Sequence, residues 1–76
     1  MSRHLPAWKP RDVLRALNRA GFPVHHISGS HYILKREDRT GLRVTLPWHG
    51  KDLKRRTLTS IIDQAGLTAD EFLDLL

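Results

Sequence analysis

The chain contains no cysteine and no long apolar run. The lack of cysteine excludes disulfides and thiolate zinc sites, which small secreted scaffolds of this size usually need. No apolar run approaches the ~20 residues that a membrane-spanning helix requires. The first ten residues also lack the apolar stretch of a signal peptide. We therefore expect a cytoplasmic protein that does not associate with a membrane.

Acidic residues are scarce in most of the chain. All 13 Lys and Arg residues lie between Arg3 and Arg56, and only half of the 8 Asp and Glu residues accompany them there. The other half follow Thr57, in a segment without a base. The formal net charge is +5. This distribution favours a polyanionic partner such as nucleic acid over a basic surface that is merely solvated.

The apolar pattern predicts one α+β domain over residues 1–76, with residues 1–8 as a loose lead-in. The segment "KPRDVLRALNRAGF" predicts a helix that begins at Pro10 and stops at Gly21. Three strands are predicted in "FPVHHI", "SHYILKR" and "LRVTLP", and "EDRTG" forms a hairpin loop. "TLTSIIDQAG" predicts a second helix, and a capping box from Thr68 to Glu71 opens a short third one. This order predicts a three-stranded antiparallel sheet with helices packed on one face.

His31 is the strongest candidate for a functional histidine, because it lies where a Ser-Gly-Ser turn meets a strand. Alternation along the strand places Tyr32 and Leu34 on the core side. His31 is then expected on the opposite face, together with an exposed Ile33. That face would also carry Lys35, Arg43 and Thr45. Two interpretations stay open on local sequence: a group that transfers protons, or a turn histidine bonded to the backbone.

The remaining candidates are weaker. His25 and His26 are adjacent in a predicted strand, so we expect them on opposite faces. In "WHGKDLKRRTL", Trp48 is predicted either to stack on a base or to pack on the domain. The bases of that segment would hold phosphates at the start of the second helix, or form a solvated loop.

Histidine and basic side chains are sufficient for one kind of chemistry, the cleavage of RNA. The 2′-hydroxyl nucleophile belongs to the substrate, so the protein needs only proton transfer and cations on the phosphate. The histidine spacing matches no metal motif, and the chain has no nucleophile elbow and no Gly-rich phosphate loop. We therefore expect no metal and no small-molecule cofactor. A domain of the same composition that binds RNA or a protein without chemistry is the alternative.

Five features in chain order resemble the HicA (YcfA-like) toxins of bacterial toxin–antitoxin pairs. They are "ALNRAGF", "GSHYI", "VTLPWH", "LKRRTLTSIIDQAGL" and "TADEFLDLL". The resemblance implies a fold like the double-stranded RNA-binding domain. It implies an endoribonuclease that cleaves mRNA, and a HicB-type antitoxin that neutralises it.

The resemblance also assigns residues. The functional histidine of the family's Gly-Ser-His motif corresponds to His31, and the family's Pro-x-His corresponds to Pro47, Trp48 and His49. His31 is therefore predicted to be catalytic, with His49 as a second candidate for proton transfer or a structural link. The predicted RNA-binding residues are Ser30, Lys35, Arg43, Lys54 and Arg56. One departure is Arg56-Thr57-Leu58, where the family usually has Gly-Thr-Leu.

Overall fold

A computed structural model describes residues 8–76 of the chain. The elements are α1 (Pro10–Arg19), β1 (Val24–Ser28), β2 (His31–Lys35), β3 (Arg43–Pro47), α2 (Arg55–Gln64) and α3 (Ala69–Leu73). The predicted order α-β-β-β-α-α is confirmed. Most of the predicted lead-in, residues 1–7, lies outside the described residues. Trp8, its last residue, forms an isolated antiparallel bridge with Leu53, whose N–H donates to the Trp8 carbonyl at 2.7 Å.

The three strands form one antiparallel sheet in the order β1-β2-β3, and the helices cover one of its faces. α1 and α2 both lie over β3, and Gln64 of α2 accepts a hydrogen bond from the Thr45 N–H on the edge of β3 at 3.0 Å. Within residues 8–76, no helix covers β1 to the same extent. All five of its residues are exposed, and Ile27 is 55% exposed although it pairs with half-buried Tyr32.

The core lies between the sheet and the helices. Its largest fully buried side chains are Phe22, Phe72, Leu17, Leu34, Leu46, Leu58, Ile61, Val13 and Val44. No polar or charged residue among residues 8–76 is buried in it. The core is therefore apolar, and the charged side chains of residues 8–76 all lie at the surface, where they can contact a ligand.

The helix ends follow local chemistry at most positions. Gly21 has a φ of 91°, a left-handed conformation that suits glycine and ends α1 as predicted. α2 begins at Arg55, two residues before the predicted Thr57. Arg55 and Arg56 were expected in a polar connection and instead form its first turn. Two cations there oppose the helix dipole, so the local sequence gave no signal for this start.

The last helix completes the core. Thr68 and Glu71 form the predicted capping box, in which the Thr68 hydroxyl accepts from the Glu71 N–H and the Glu71 carboxylate accepts from the Thr68 N–H. Phe72 is fully buried, and Arg19 of α1 donates to the carbonyl of Leu75 at 2.7 Å. The C-terminal segment is thus tied to α1. No helix within residues 8–76 is long and apolar enough to cross a membrane.

Candidate nucleic-acid interface on the open sheet face

The sheet face opposite the helices carries three of the predicted site residues, His31, Lys35 and Arg43. Residues directly opposed on antiparallel strands point to the same side, so the register defines this open face in three rows. The rows are Ser28–His31–Pro47, His26–Ile33–Thr45 and Lys35–Arg43. We call these eight residues the open face.

His31 is the first residue of β2 and is exposed on the open face, as strand alternation predicted. The turn before it is closed without its side chain. Gly29 takes a left-handed φ of 57°, and the Ser30 carbonyl accepts from the Trp48 N–H at 2.7 Å. Within residues 8–76 no hydrogen bond or ion pair engages the His31 imidazole. The ring is therefore available to a ligand on this face.

Ile33 occupies the centre of the open face, and its predicted exposure was wrong. The next residue along β2, Leu34, faces the core, so Ile33 faces the opposite side of the sheet. Ile33 is nevertheless only 5% exposed. Its register neighbours are His26 on β1 and Thr45 on β3. The open face is thus an apolar centre surrounded by polar and basic groups.

Lys35 and Arg43 are directly opposed at the far end of the open face. Lys35 is half-buried and Arg43 is exposed. Lys35 follows His31 by four positions along β2, a distance of about 13 Å along the backbone at a rise of ~3.3 Å per residue. Two flexible cations and the free imidazole therefore share one surface.

His25 and His26 lie side by side, so their predicted placement on opposite faces was wrong. The register of β1 shifts between Val24, which pairs with Leu34, and His26, which pairs with Ile33, and this leaves His25 as an extra residue between the two pairs. Such a bulge breaks strict alternation and re-aims side chains. The Nδ1 atoms of the two rings are 2.7 Å apart, and the rings meet edge to face at 79°.

The surroundings of His26 lower its pKa below the usual 6.5. Loss of hydration beside its neighbours is the largest cause, although the ring is exposed overall. Electrostatic interactions with His25, Arg43 and Lys35 lower the pKa further, in that order. Side chains from all three strands therefore influence the pKa of the His26 imidazole. The sequence marks both histidines as candidates but does not predict their grouping with Lys35 and Arg43, because no local signal shows where a bulge will form.

His49 is held in the loop after β3. Its Nδ1 accepts from the Lys51 N–H at 3.2 Å, which supports the loop between β3 and α2. Trp48, beside it, stacks on Tyr32 and packs against the core. A cavity of about 190 Å³ lies against this loop and the start of α1. It is lined by Lys9, Pro10, Arg11, Trp48, His49 and Gly50.

Lys54 and Arg56 lie in the helix layer and are not members of the open face. Lys54 precedes α2 without a side-chain cap, and Arg56 is in its first turn. Both are exposed. Arg56 borders a groove of about 440 Å³ between α2 and the segment that leads into α3. The structure thus divides the predicted RNA-binding residues between two surfaces. Ser30 lies in the turn that precedes His31.

The described residues offer few metal ligands in one place. No group of three or more His, Cys, Asp or Glu side chains within residues 8–76 has the geometry to hold a metal ion. The only close histidine pair among them, His25 and His26, faces Lys35 and Arg43.

A comparison with protein families assigns the chain. The family model for the HicA toxin of bacterial toxin–antitoxin systems matches residues 10–67, which include α1, the whole sheet and α2. The chain belongs to the HicA toxin family. A search of curated proteins gives no significant match. The HicA match contains the Gly29-Ser30-His31 turn and the open face, so membership of a toxin family and the geometry of this surface concern the same part of the molecule.

Proposed function

We propose that this HicA-family chain is an endoribonuclease that cleaves mRNA without metal, with His31 as its general base or acid. The observation that carries the proposal is the free, exposed His31 imidazole on a face that also holds Lys35 and Arg43. Membership of a toxin family supports an activity that harms the cell.

The proposed reaction uses the nucleophile of the substrate. Removal of the 2′-hydroxyl proton lets the 2′-oxygen attack the adjacent phosphorus, and the bond to the 5′-oxygen breaks. The departing oxygen takes up a proton. A positioned histidine supplies one of these transfers, which typically accelerates a reaction ~10²–10⁴-fold.

Lys35 and Arg43 are proposed to stabilise the negative charge that develops on the phosphate. Their opposed positions at one end of the open face suit a strand of RNA that crosses His31 and continues towards them. Ser30 is proposed to contact the backbone beside His31. Lys54 and Arg56 are proposed to bind RNA phosphates from the helix layer, at a greater remove from the chemistry.

His49 is proposed to be a structural link first and a proton-transfer group second. Its Nδ1 already accepts from the Lys51 N–H, so only Nε2 is free to act. The partner proposed for the toxin is a HicB-type antitoxin protein that neutralises it. The proposed compartment is the cytoplasm, where mRNA and antitoxin would both be present.

The alternative function is that of a binding module, which has the same fold and binds RNA or its protein partner without cleaving RNA. To separate the endoribonuclease from the binding module, wild type is compared with His31→Gln on an mRNA transcript, with and without EDTA. The transcript should be cut by wild type in both conditions and left intact by His31→Gln. Binding of a 2′-O-methyl RNA, which lacks the nucleophile, should change little in the variant.

A matched control is Arg15→Gln, an exposed cation on α1 in the helix layer. It should cleave at the wild-type rate. A folded His31→Gln chain that still cuts the transcript would overturn the assignment of His31. Tight binding of 2′-O-methyl RNA without any cleavage by wild type would favour the binding module, and loss of cleavage in EDTA would favour a metal site.

A further inference from the structure

We propose that His26 is a second catalytic residue, the general base that acts opposite His31, and that His25 positions it. The inference rests on the proposed function and deepens it, because it divides the two proton transfers between two histidines. The bulge in β1, which no feature of the sequence marks, is what brings the pair to the open face.

His26 and His31 are diagonal neighbours on the open face. His26 is opposite Ile33, and His31 is two residues before Ile33 on the same face. Diagonal neighbours of this kind have Cβ atoms about 7–8 Å apart or somewhat less. Two imidazoles at that spacing can reach opposite sides of one phosphodiester placed over Ile33. The 2′- and 5′-oxygens of such a group would then face different rings.

The contact with His25 can orient the ring of His26. The contact of 2.7 Å between the Nδ1 atoms requires one ring to donate and the other to accept. When His26 donates its Nδ1–H to His25, its Nε2 carries the lone pair that a base needs. The same bond supports the imidazolium after proton uptake. A base that is itself oriented by a third group is the usual arrangement of an activated catalytic pair.

Basic side chains from all three strands lie around His26. The groups that face it are His25 on its own strand, Lys35 on β2 and Arg43 on β3. Together with lost hydration, they lower the pKa of His26, so that its neutral form prevails near pH 7. A general base must be neutral before it acts. Lys35 and Arg43 would also hold the phosphate.

The proposed step moves two protons, one to His26 and one from His31. The 2′-hydroxyl proton passes to Nε2 of His26 as the bond between the 2′-oxygen and phosphorus forms. The bond from phosphorus to the 5′-oxygen breaks, and the imidazolium of His31 gives that oxygen a proton. The products are a 2′,3′-cyclic phosphate and a 5′-hydroxyl end. His26 ends protonated and His31 neutral, and solvent restores both.

The test compares His26→Gln and His31→Gln on two substrates. Wild-type cleavage of a transcript first locates a cut site. A short RNA with that sequence is then made twice, with oxygen or with sulfur as the 5′ bridging atom. A thiolate leaves without a proton, so the sulfur substrate removes the need for a general acid. Arg15→Gln is again the control, and 2′-O-methyl RNA measures binding.

Both histidine variants should lose ~10²–10⁴-fold in rate on the oxygen substrate, the usual contribution of acid–base catalysis. The sulfur substrate should restore His31→Gln and leave His26→Gln slow. Binding should stay within about threefold of wild type in both, well under the tenfold change that ~1.4 kcal/mol represents. For His25, replacement by Phe should lower kcat more than it changes KM, and Asn should restore part of the loss, because its side-chain oxygen accepts a hydrogen bond.

Two results would overturn the proposal. One is a folded His26→Gln chain that cleaves the oxygen substrate as fast as wild type. The other is rescue of His26→Gln, rather than His31→Gln, by the sulfur substrate. In either case wild type still cleaves RNA, and the proposed function stands. A wild-type chain that cleaves no RNA would remove the proposed function and this inference together.

Discussion

Trp48 lies flat on Tyr32, with ring centroids 4.1 Å apart and 13° between the ring planes. Both side chains are half-buried and pack against the core. The pair joins β2 to the loop after β3 on the helix side of the sheet. One face of the indole is therefore occupied by Tyr32, which supports the packing interpretation of Trp48 over a free platform for a base.

Trp48→Ala should destabilise the fold by about 2–4 kcal/mol, because it removes a large packed ring and an aromatic contact. Trp48→Phe keeps a ring over Tyr32 and should cost about half as much. Urea denaturation followed by circular dichroism measures both free energies of unfolding. If Trp48→Ala unfolds at the wild-type urea concentration, the stack contributes nothing to stability.

The stability of the protein should depend on pH through His26. Because its pKa is lower in the folded chain than the usual 6.5, the unfolded chain binds more protons just below that pH. The contribution of His26 is complete above 6.5 and is lost as the pH falls through the folded value. Urea midpoints between about pH 7.5 and 5 should fall less in His26→Gln than in wild type. Equal pH dependence in the two proteins would contradict the lowered pKa.

Asp38 should stabilise the hairpin loop between β2 and β3. Hydrogen bonds from Thr40, and then the Arg36 guanidinium 2.6 Å away, lower the pKa of this carboxyl below its usual 3.8. Its contribution is therefore present above 3.8 and is lost as the pH falls through the folded value. Asp38→Asn should be less stable than wild type at pH 7, and the difference should shrink in acid.

Glu37 in the same loop is the matched control for Asp38. It is exposed, and no hydrogen bond or ion pair engages its side chain within residues 8–76. Glu37→Gln should therefore leave the free energy of unfolding within about 0.5 kcal/mol of wild type. Equal losses in the two loop variants at pH 7 would indicate a general effect of charge and not the contacts of Asp38.

The cations of the open face should determine how RNA binding depends on salt. Each phosphate contact with single-stranded RNA contributes about 0.7 to the slope of log K against log salt concentration. Lys35→Gln and Arg43→Gln should each lower that slope by about this amount for 2′-O-methyl RNA, as fluorescence anisotropy can measure. Arg15→Gln should leave the slope unchanged. A similar drop in all three would show that only net charge matters.

Much of the fold was predictable because its signals are local. Pro10 marks the start of α1 and Gly21 its end, and the capping box of Thr68 and Glu71 marks the start of α3. Strand alternation places Leu34, Val44 and Leu46 in the core. His31 could be placed on the open face for the same reason, since a regular strand leaves no freedom about which side a residue takes. The start of α2 could not be predicted, because Arg55 and Arg56 disfavour the helix end that tertiary packing imposes.

The sequence by itself thus determined the order of the elements, the apolar core, the excess of positive charge and the face of His31. Only the tertiary structure decided how the histidines are grouped. A bulge depends on how two strands align, and strand pairing is a non-local choice. One extra residue in β1 turns His25 and His26 to the same side, over a buried Ile33 and within the field of Lys35 and Arg43.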